Sequence, residues 1–394
     1  MDRRLLTLAL GTFALGTDSF VIAGVLPEIS RAFGVGIGAA GQMTTVYAIT
    51  YAVLAPTIAA LAGSVARKRL LLAGLSLFVV ANLATAVSPT FAIALVTRAV
   101  AGLGAAMFSP TAMGAGSMLV PPERRGFALA IIVAGLTTAT ALGSPTGAVI
   151  GGLGDWRWTM VFVAALGAAS CLGVWAFLPE MPLPPAVTLR QRLAPLADAR
   201  IGLTLATTLL AMSGIFIPYT YFAVVFDRAI GGSPAMIGGL LVMWGIAGTA
   251  SNLLAGRLID RIGSRKVVVA MLTVLIVNTA LMPWSSANAW TAVLAIAIWG
   301  ACGWGILVPQ QHRLVTLAPA IAPIVVGLNT SCTYFGVTTA GIVGALGLRA
   351  LSGHDLGFVG AGLLGAAFLV SELAARHIAT VARLSVPADS ACKS

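Results

Sequence analysis

The chain has 394 residues, 59% of them hydrophobic and only 9% charged. A soluble globular domain is about 25% charged, so these proportions exclude a water-soluble enzyme or regulatory domain and point to an integral membrane protein. The net charge of +11 would suit a nucleic-acid partner, but the placement of the basic residues, given below, has another explanation.

About twelve apolar stretches alternate with short polar or Gly/Pro-rich breaks. Each is read as a helix, because an open sheet edge in lipid leaves its backbone groups unpaired. The expected fold class is therefore all-α integral membrane with twelve transmembrane helices, over residues 5–26, 41–63, 70–87, 91–116, 127–150, 158–178, 201–225, 235–256, 267–284, 289–309, 323–347 and 357–376. With both termini placed in the cytoplasm, only Arg31, Arg157, Arg228 and Arg349 fall in outer segments and Arg98 falls inside the fourth stretch. The remaining Lys and Arg residues all lie on the inner side. This bias orients a multi-pass protein in a cell (inner) membrane, so the net charge is topological and calls for no nucleic acid.

Asp18 lies near the middle of the first stretch. At ~1.5 Å of rise per residue it sits ~20 Å from a helix start near residue 5, deep in a ~30 Å hydrocarbon layer. An ionisable group there costs at least ~2.5 kcal/mol, so Asp18 is expected to face an internal polar cavity and to bind protons. The loop after the second stretch, Gly63-Ser64-Val65-Ala66-Arg67-Lys68-Arg69, is short, basic and without an acid. In the fourth stretch Arg98 lies ~10 Å from the outer end, at the same level as Asp18. A guanidinium close to Asp18 favours its charge while burial opposes it, so a moving Arg98 would switch Asp18 between proton release and capture. The alternative is an Arg98 that binds backbone carbonyls and only packs the helix. Gly102 and Gly104 lie in an apolar helix with no preceding strand, which excludes a dinucleotide fingerprint.

In the fifth stretch Gly135, Ala139, Gly143, Gly147 and Gly151 recur every four residues, a ridge for close helix contact, with Pro145 as a kink. Residues 179–200 form the longest interior polar segment, contain Pro179, Pro182, Pro184, Pro185 and Pro195, and divide the stretches six and six. Two echoes suggest duplicated halves. Ala62-Gly63 before one basic loop matches Ala255-Gly256 before another, and Ser109-Pro110 ending the fourth stretch matches Val308-Pro309 ending the tenth. Parallel repeats of this kind are a known transporter design, with substrate near the midplane between them. Cys171, Cys302, Cys332 and Cys392 show no disulfide or metal spacing. Gln310, Gln311 and His312 end the tenth stretch near the inner face, where a lone His is read as an interfacial residue and not as a proton carrier. No cofactor or metal is implied, no cluster has nucleophile spacing, and the absence of a Walker loop excludes ATP as the energy source.

After the eighth stretch comes Gly256-Arg257-Leu258-Ile259-Asp260-Arg261-Ile262-Gly263-Ser264-Arg265-Lys266. This loop resembles the G-x-L-x-D-R-x-G-x-R-K loop of the major facilitator superfamily. Arg98-x-x-x-Gly102-x-Gly104-Ala105-Ala106 is similar to that family's fourth-helix motif, and Gly143-Ser144-Pro145-Thr146-Gly147 resembles its antiporter motif, with Ser144 splitting the usual Gly-Pro pair. The first helix, Gly16-Thr17-Asp18-Ser19-Phe20 followed by Gly24-Val25-Leu26-Pro27-Glu28-Ile29, is similar to the opening of twelve-helix drug:proton antiporters, the group containing chloramphenicol, arabinose and purine ribonucleoside exporters. That group's acid usually stands where this chain has Ser19, and one position is ~100° of rotation on a helix.

The resemblance implies two six-helix pseudo-symmetric halves: residues 1–178 and 201–377, joined by a cytoplasmic linker, 179–200, and followed by a disordered tail, 378–394. It implies a monomeric transporter, not an enzyme, that exports a small amphiphilic solute in exchange for protons through Asp18 and Arg98. It places Tyr47, Tyr51, Met107, Phe108, Tyr219, Phe222, Asn252, Trp299, Trp304, Asn329 and Tyr334 around the central cavity. Gating falls to Gly143, Pro145 and Gly147 and to Gly256, Asp260, Arg261, Gly263, Arg265 and Lys266, with Asp260 pairing a cation or capping a helix. A sugar or nucleoside exporter, a proton-coupled importer and a nontransporting receptor are the alternatives.

Overall fold

A computed structural model describes residues 2–62, 65–181 and 187–384, so Gly63, Ser64 and Cys392 lie outside the described residues. The first six long helices are α1 (Arg3–Val21), α2 (Gln42–Leu61), α3 (Arg67–Ala86), α4 (Phe91–Met118), α5 (Arg125–Thr138 and Ser144–Leu153) and α6 (Arg157–Phe177). The second six are α7 (Ala199–Thr220), α8 (Pro234–Ile262), α9 (Ser264–Ala280), α10 (Ala289–Gly305 and Leu307–Leu317), α11 (Ala322–Gly347) and α12 (Leu356–Leu384). Eleven of these helices have the length and composition of a membrane span. The other, α9, has 17 residues.

Starts are set by short polar caps: Asp2, Thr90, Asp198, Ser233 and Asn288 each accept from a backbone N–H of the first turn. Many hydroxyls inside the spans are satisfied along their own helix, as when Thr17 donates to the Phe13 carbonyl at 2.8 Å and Thr50 to that of Val46 at 2.8 Å. In lipid, where no water competes, this local bonding is what lets Thr and Ser sit in a span. Ahead of Pro145 the backbone widens into a π turn, Ala139–Gly143. Proline has no N–H to return to the preceding turn, and the wider turn absorbs the mismatch.

The same pairings recur in each half. α1 packs on α5 and α6 as α7 packs on α11 and α12; α2 lies on α4 as α8 lies on α10; α3 meets α6 as α9 meets α12. The starts of α3 and α9 even reach the same way. Lys68 donates to the Leu178 carbonyl at 2.6 Å, and Arg265 pairs with Glu372 of α12 at 2.5 Å.

Between the halves, α5 lies against α8 and α2 against α11, and their close contacts lie from mid-depth to the end away from the chain termini. A Cβ on Gly245 would meet the Ala141 backbone, one on Gly38 would lie 3.3 Å from the Ala345 Cβ, and Gln42 Nε2 donates to the Gly341 carbonyl at 3.2 Å. Toward the termini these helices splay. From Leu253 to Leu258, α8 buries only Ala255, and Leu253 is 77% exposed. The interior therefore opens at the end that carries the termini.

Two expectations are corrected. α8 and α10 run on to Ile262 and Leu317, past the spans 235–256 and 289–309, because about two turns of largely polar helix beyond the lipid cost little. α12 reaches Leu384, so residues 378–384 are helix and not tail; no Gly or Pro interrupts the chain between Gly365 and Pro387. The segment 179–200 holds a capped helical turn, Leu189–Leu193, and Arg192 docks it on the Ala59 carbonyl of α2 at 3.0 Å.

Candidate functional site

Two glycines of α4 bring its neighbours close. A Cβ on Gly102 would lie 2.6 Å from the Tyr47 carbonyl of α2, and one on Gly104 would lie 2.7 Å from the Gly74 carbonyl of α3. This packing sets Tyr47 and Asn82 against Arg98. The Arg98 guanidinium lies 4.7 Å from the centre of the Tyr47 ring, and Nη1 donates to Asp18 Oδ1 at 2.6 Å and to Asn82 Oδ1 at 3.2 Å. Asn82 is itself aimed by a bond from Nδ2 to the Phe78 carbonyl at 3.0 Å. Both charged side chains are 0% exposed. Asp18 Oδ2 and Arg98 Nε nevertheless have no partner. Burial makes each charge depend on the other, so neutralising the acid weakens the pair.

Ser19 points about 100° away from Asp18, toward the other half. Its Oγ lies 3.3 Å from the hydroxyls of both Tyr47 and Tyr334, and the Tyr51 and Tyr334 rings pack at a 32° tilt with centroids 4.0 Å apart. The acid thus turns inward to α4 while its neighbour joins the halves. Phe20, one residue on, caps an aromatic cluster of the second half made by Phe216, Tyr219, Trp244 and Trp304. Trp299, Phe222 and Phe226 extend that cluster. Tyr219 donates to the Phe20 carbonyl at 3.3 Å.

Of the residues expected around the centre, Tyr47, Tyr51, Tyr219, Trp304 and Tyr334 meet there, with Trp299 and Phe222 behind them. Asn252, one turn beyond Gly248 on α8, is half-buried with Oδ1 unpartnered. Met107 and Phe108 do not line the centre. Met107 lies against Gly74 of α3, and Phe108 fills the space over Gly11 inside the first half, because they project from α4 on the faces that pack its own bundle. Asn329 accepts from Thr208 at 2.8 Å, and Thr208 also receives Gln310 Nε2 at 3.2 Å, a network internal to the second half.

Among the gating candidates, Gly143 and Gly147 seat α5 against Thr17 and Val21 of α1, on the helix that carries Asp18, with Pro145 between them. Gly256 has open space where a Cβ would go, so close contact is not its role here. Gly263 takes φ +83°, a conformation that favours glycine, as the chain turns into α9. Asp260, Arg261 and Lys266 are exposed, and among the described residues Asp260 makes no ion pair and caps no helix. Its loop faces the splayed end. Arg265 instead reaches Glu372.

The sequence reading missed Asn82, Phe216 and Trp244, and it named Ser19 and Phe20 without giving them a contact across the halves. Phe216 could have been found as the residue three before Tyr219, on the same helix face; Asn82 had no comparable signal. A cavity of about 170 Å³ at the far end, lined by Glu28, Arg31 and Asp227 among others, is smaller than the ~300–1,000 Å³ of a drug-sized site.

Twelve long helices, eleven of them with the length and composition of a membrane span, in two similarly packed halves with a buried ion pair beside their interface define a multi-pass membrane protein. The chain belongs to the Major Facilitator Superfamily, whose family model matches residues 8–341 and again 202–382. It is 28% identical to the inner membrane transport protein YdhP of Escherichia coli (strain K12), over 94% of this chain and 96% of that protein. It is 33% identical to a chloramphenicol resistance protein of Streptomyces lividans over 68% and 70% of the two chains, and 26% identical to a probable sugar efflux transporter of Helicobacter pylori (strain P12) over 91% and 92%. Among solved structures, the nucleoside transporter NupG superposes with a TM-score of 0.73 at 13% identity, over 95% of this chain and 99% of that one, which shows the shared fold.

Proposed function

We propose that the protein exports a small amphiphilic, drug-like solute across the inner membrane in exchange for entering protons, by alternating access. The observation that carries this reading is the fully buried Asp18–Arg98 pair beside the interface between the halves. With both termini in the cytoplasm, as the Lys/Arg bias supports, the open end faces the cytoplasm and admits the solute. A proton on Asp18 removes the pair's charge–charge attraction and frees Arg98, while a solute seated at the midplane favours the charged pair. The halves, residues 1–178 and 201–377, then rock about the shared site, with 179–200 as their link and a single chain as the working unit. The chloramphenicol resistance relative supports drug export.

Everted vesicles given substrate and an imposed ΔpH test the proposal. Asp18→Asn is expected to lose ΔpH-driven uptake while keeping substrate counterflow; uptake by this variant that still responds to ΔpH removes Asp18 from the mechanism. Similarity to a sugar efflux transporter supports a second reading, a sugar exporter on the same fold. Competition by sugars, and none by amphiphilic drugs, would select it.

A further inference from the structure

We propose that the ring of Phe216, Tyr219, Trp244 and Trp304 is the subsite for an aromatic group of the transported solute, that Phe20 occupies it as a stand-in while the carrier is empty, and that the solute is an uncharged, flat aromatic molecule bearing hydrogen-bond acceptors. This rests on the export reading for the ligand's origin and adds its chemical class.

The four rings form a closed circuit. Centroids are 6.3 Å apart for Phe216–Trp304, 5.4 Å for Trp304–Trp244, 4.5 Å for Trp244–Tyr219 and 5.4 Å for Tyr219–Phe216. Phe20 comes from the opposite half and touches three of them, stacked on Phe216 at 5.8 Å and edge-on to Tyr219 at 5.8 Å and to Trp304 at 5.6 Å. Phe216 and Trp244 are also 6.3 Å apart across the circuit, so Phe20 caps the cluster instead of entering it, and a benzyl group seated from another body on an aromatic cluster is the contact a bound arene would make. Gly248 and Gly300 shape the container: a larger residue at either would collide with Trp304 or with the Trp244 backbone.

The polar chemistry of the walls selects the ligand. The indole nitrogens of Trp244 and Trp304 are buried and have no hydrogen-bond partner. Trp244 is 1% and Trp304 7% exposed. Indole N–H only donates, so two unanswered donors call for acceptors on the guest. No carboxylate stands in the ring. The acid nearest along the chain, Asp18, is already bonded to Arg98, whose positive charge opposes a cationic guest. Asn252 stands one turn from Gly248 toward the open end, with its Oδ1 unpartnered, and marks the route in. Phe20 is two residues from Asp18 and next to Ser19, so a guest that displaces it shifts the turn of α1 that holds both the ion pair and the Tyr334 contact.

Calorimetric titration of the purified full chain in detergent tests this, with 4-nitroacetanilide as the neutral acceptor-bearing probe, p-cymene as an arene without acceptors and tetraphenylphosphonium as the cation. The wild type is expected to prefer the nitroarene to both others. Phe20→Ala should bind it at least about 5-fold more tightly, with Phe20→Leu intermediate should the alanine variant be unstable. Trp304→Phe keeps a ring and loses the donor, so it should weaken 4-nitroacetanilide at least about 3-fold more than it weakens p-cymene. Equal weakening of the two arenes, tighter binding of the cation, or unchanged or weaker binding in both folded Phe20 variants overturns the proposal. These titrations use no gradient: failure of proton exchange leaves them standing, and their failure leaves ΔpH-driven flux intact.

Discussion

Truncating Asp18 to alanine leaves the Arg98 guanidinium in a site with 0% exposure and Asn82 Oδ1, at 3.2 Å, as its main remaining acceptor. Two unit charges centred ~4 Å apart attract by ~4 kcal/mol at an effective dielectric of 20. Removal of one partner from a buried pair costs ~3–5 kcal/mol, because the other charge stays desolvated. Asp18→Ala and Arg98→Leu should therefore each destabilise by about that amount. The double variant buries neither charge and should be less damaged than the two losses added together, with a coupling of ~2–3 kcal/mol, at the upper end for residues in direct contact. Thermal unfolding of purified protein in one detergent, followed by intrinsic fluorescence and closed as a mutant cycle, measures the coupling. Additive losses, or single variants within ~0.5 kcal/mol of wild type, would refute the view that this pair is held by mutual charge.

Cysteines at Gly38 and Ala345 should form a disulfide under mild oxidation, since their Cβ atoms would stand 3.3 Å apart; the bond should hold the far end closed and stop transport until reduced, and free thiols after oxidation would show that this closure is not populated. Gly102→Val drives a side chain into the Tyr47 carbonyl and Thr50 and should cost ~1–3 kcal/mol, whereas Gly239→Ala meets open space and should be neutral or slightly stabilising; both are read as shifts in melting temperature. Asp198 caps α7 and bonds the Arg200 side chain, which holds its carboxyl below the ordinary carboxylate range. Its contribution is therefore complete above that range and fades as pH falls through the lowered value, so Asp198→Ala should lose ~1 kcal/mol at pH 7 and much less near pH 3 in pH-dependent melting.

Much of the fold was legible before any coordinates, because lipid leaves helices few alternatives and each span must be apolar over its whole length. The approximate places of the spans and the shared depth of Asp18 and Arg98 follow from counting along one dimension. The ridge from Gly135 to Gly151 was likewise visible as a spacing. The facing of side chains was not, because a helix can be turned about its axis without altering its composition. Packing alone decided that Asp18 turns to Arg98 while Ser19 turns to Tyr334, and that Met107 and Phe108 fill the first half. The same holds for Phe20 and its aromatic ring, which exist as a site only where helices distant in sequence cross. That the far end is closed and the end with the termini is open belongs to this conformation, since a carrier's sequence must be compatible with both.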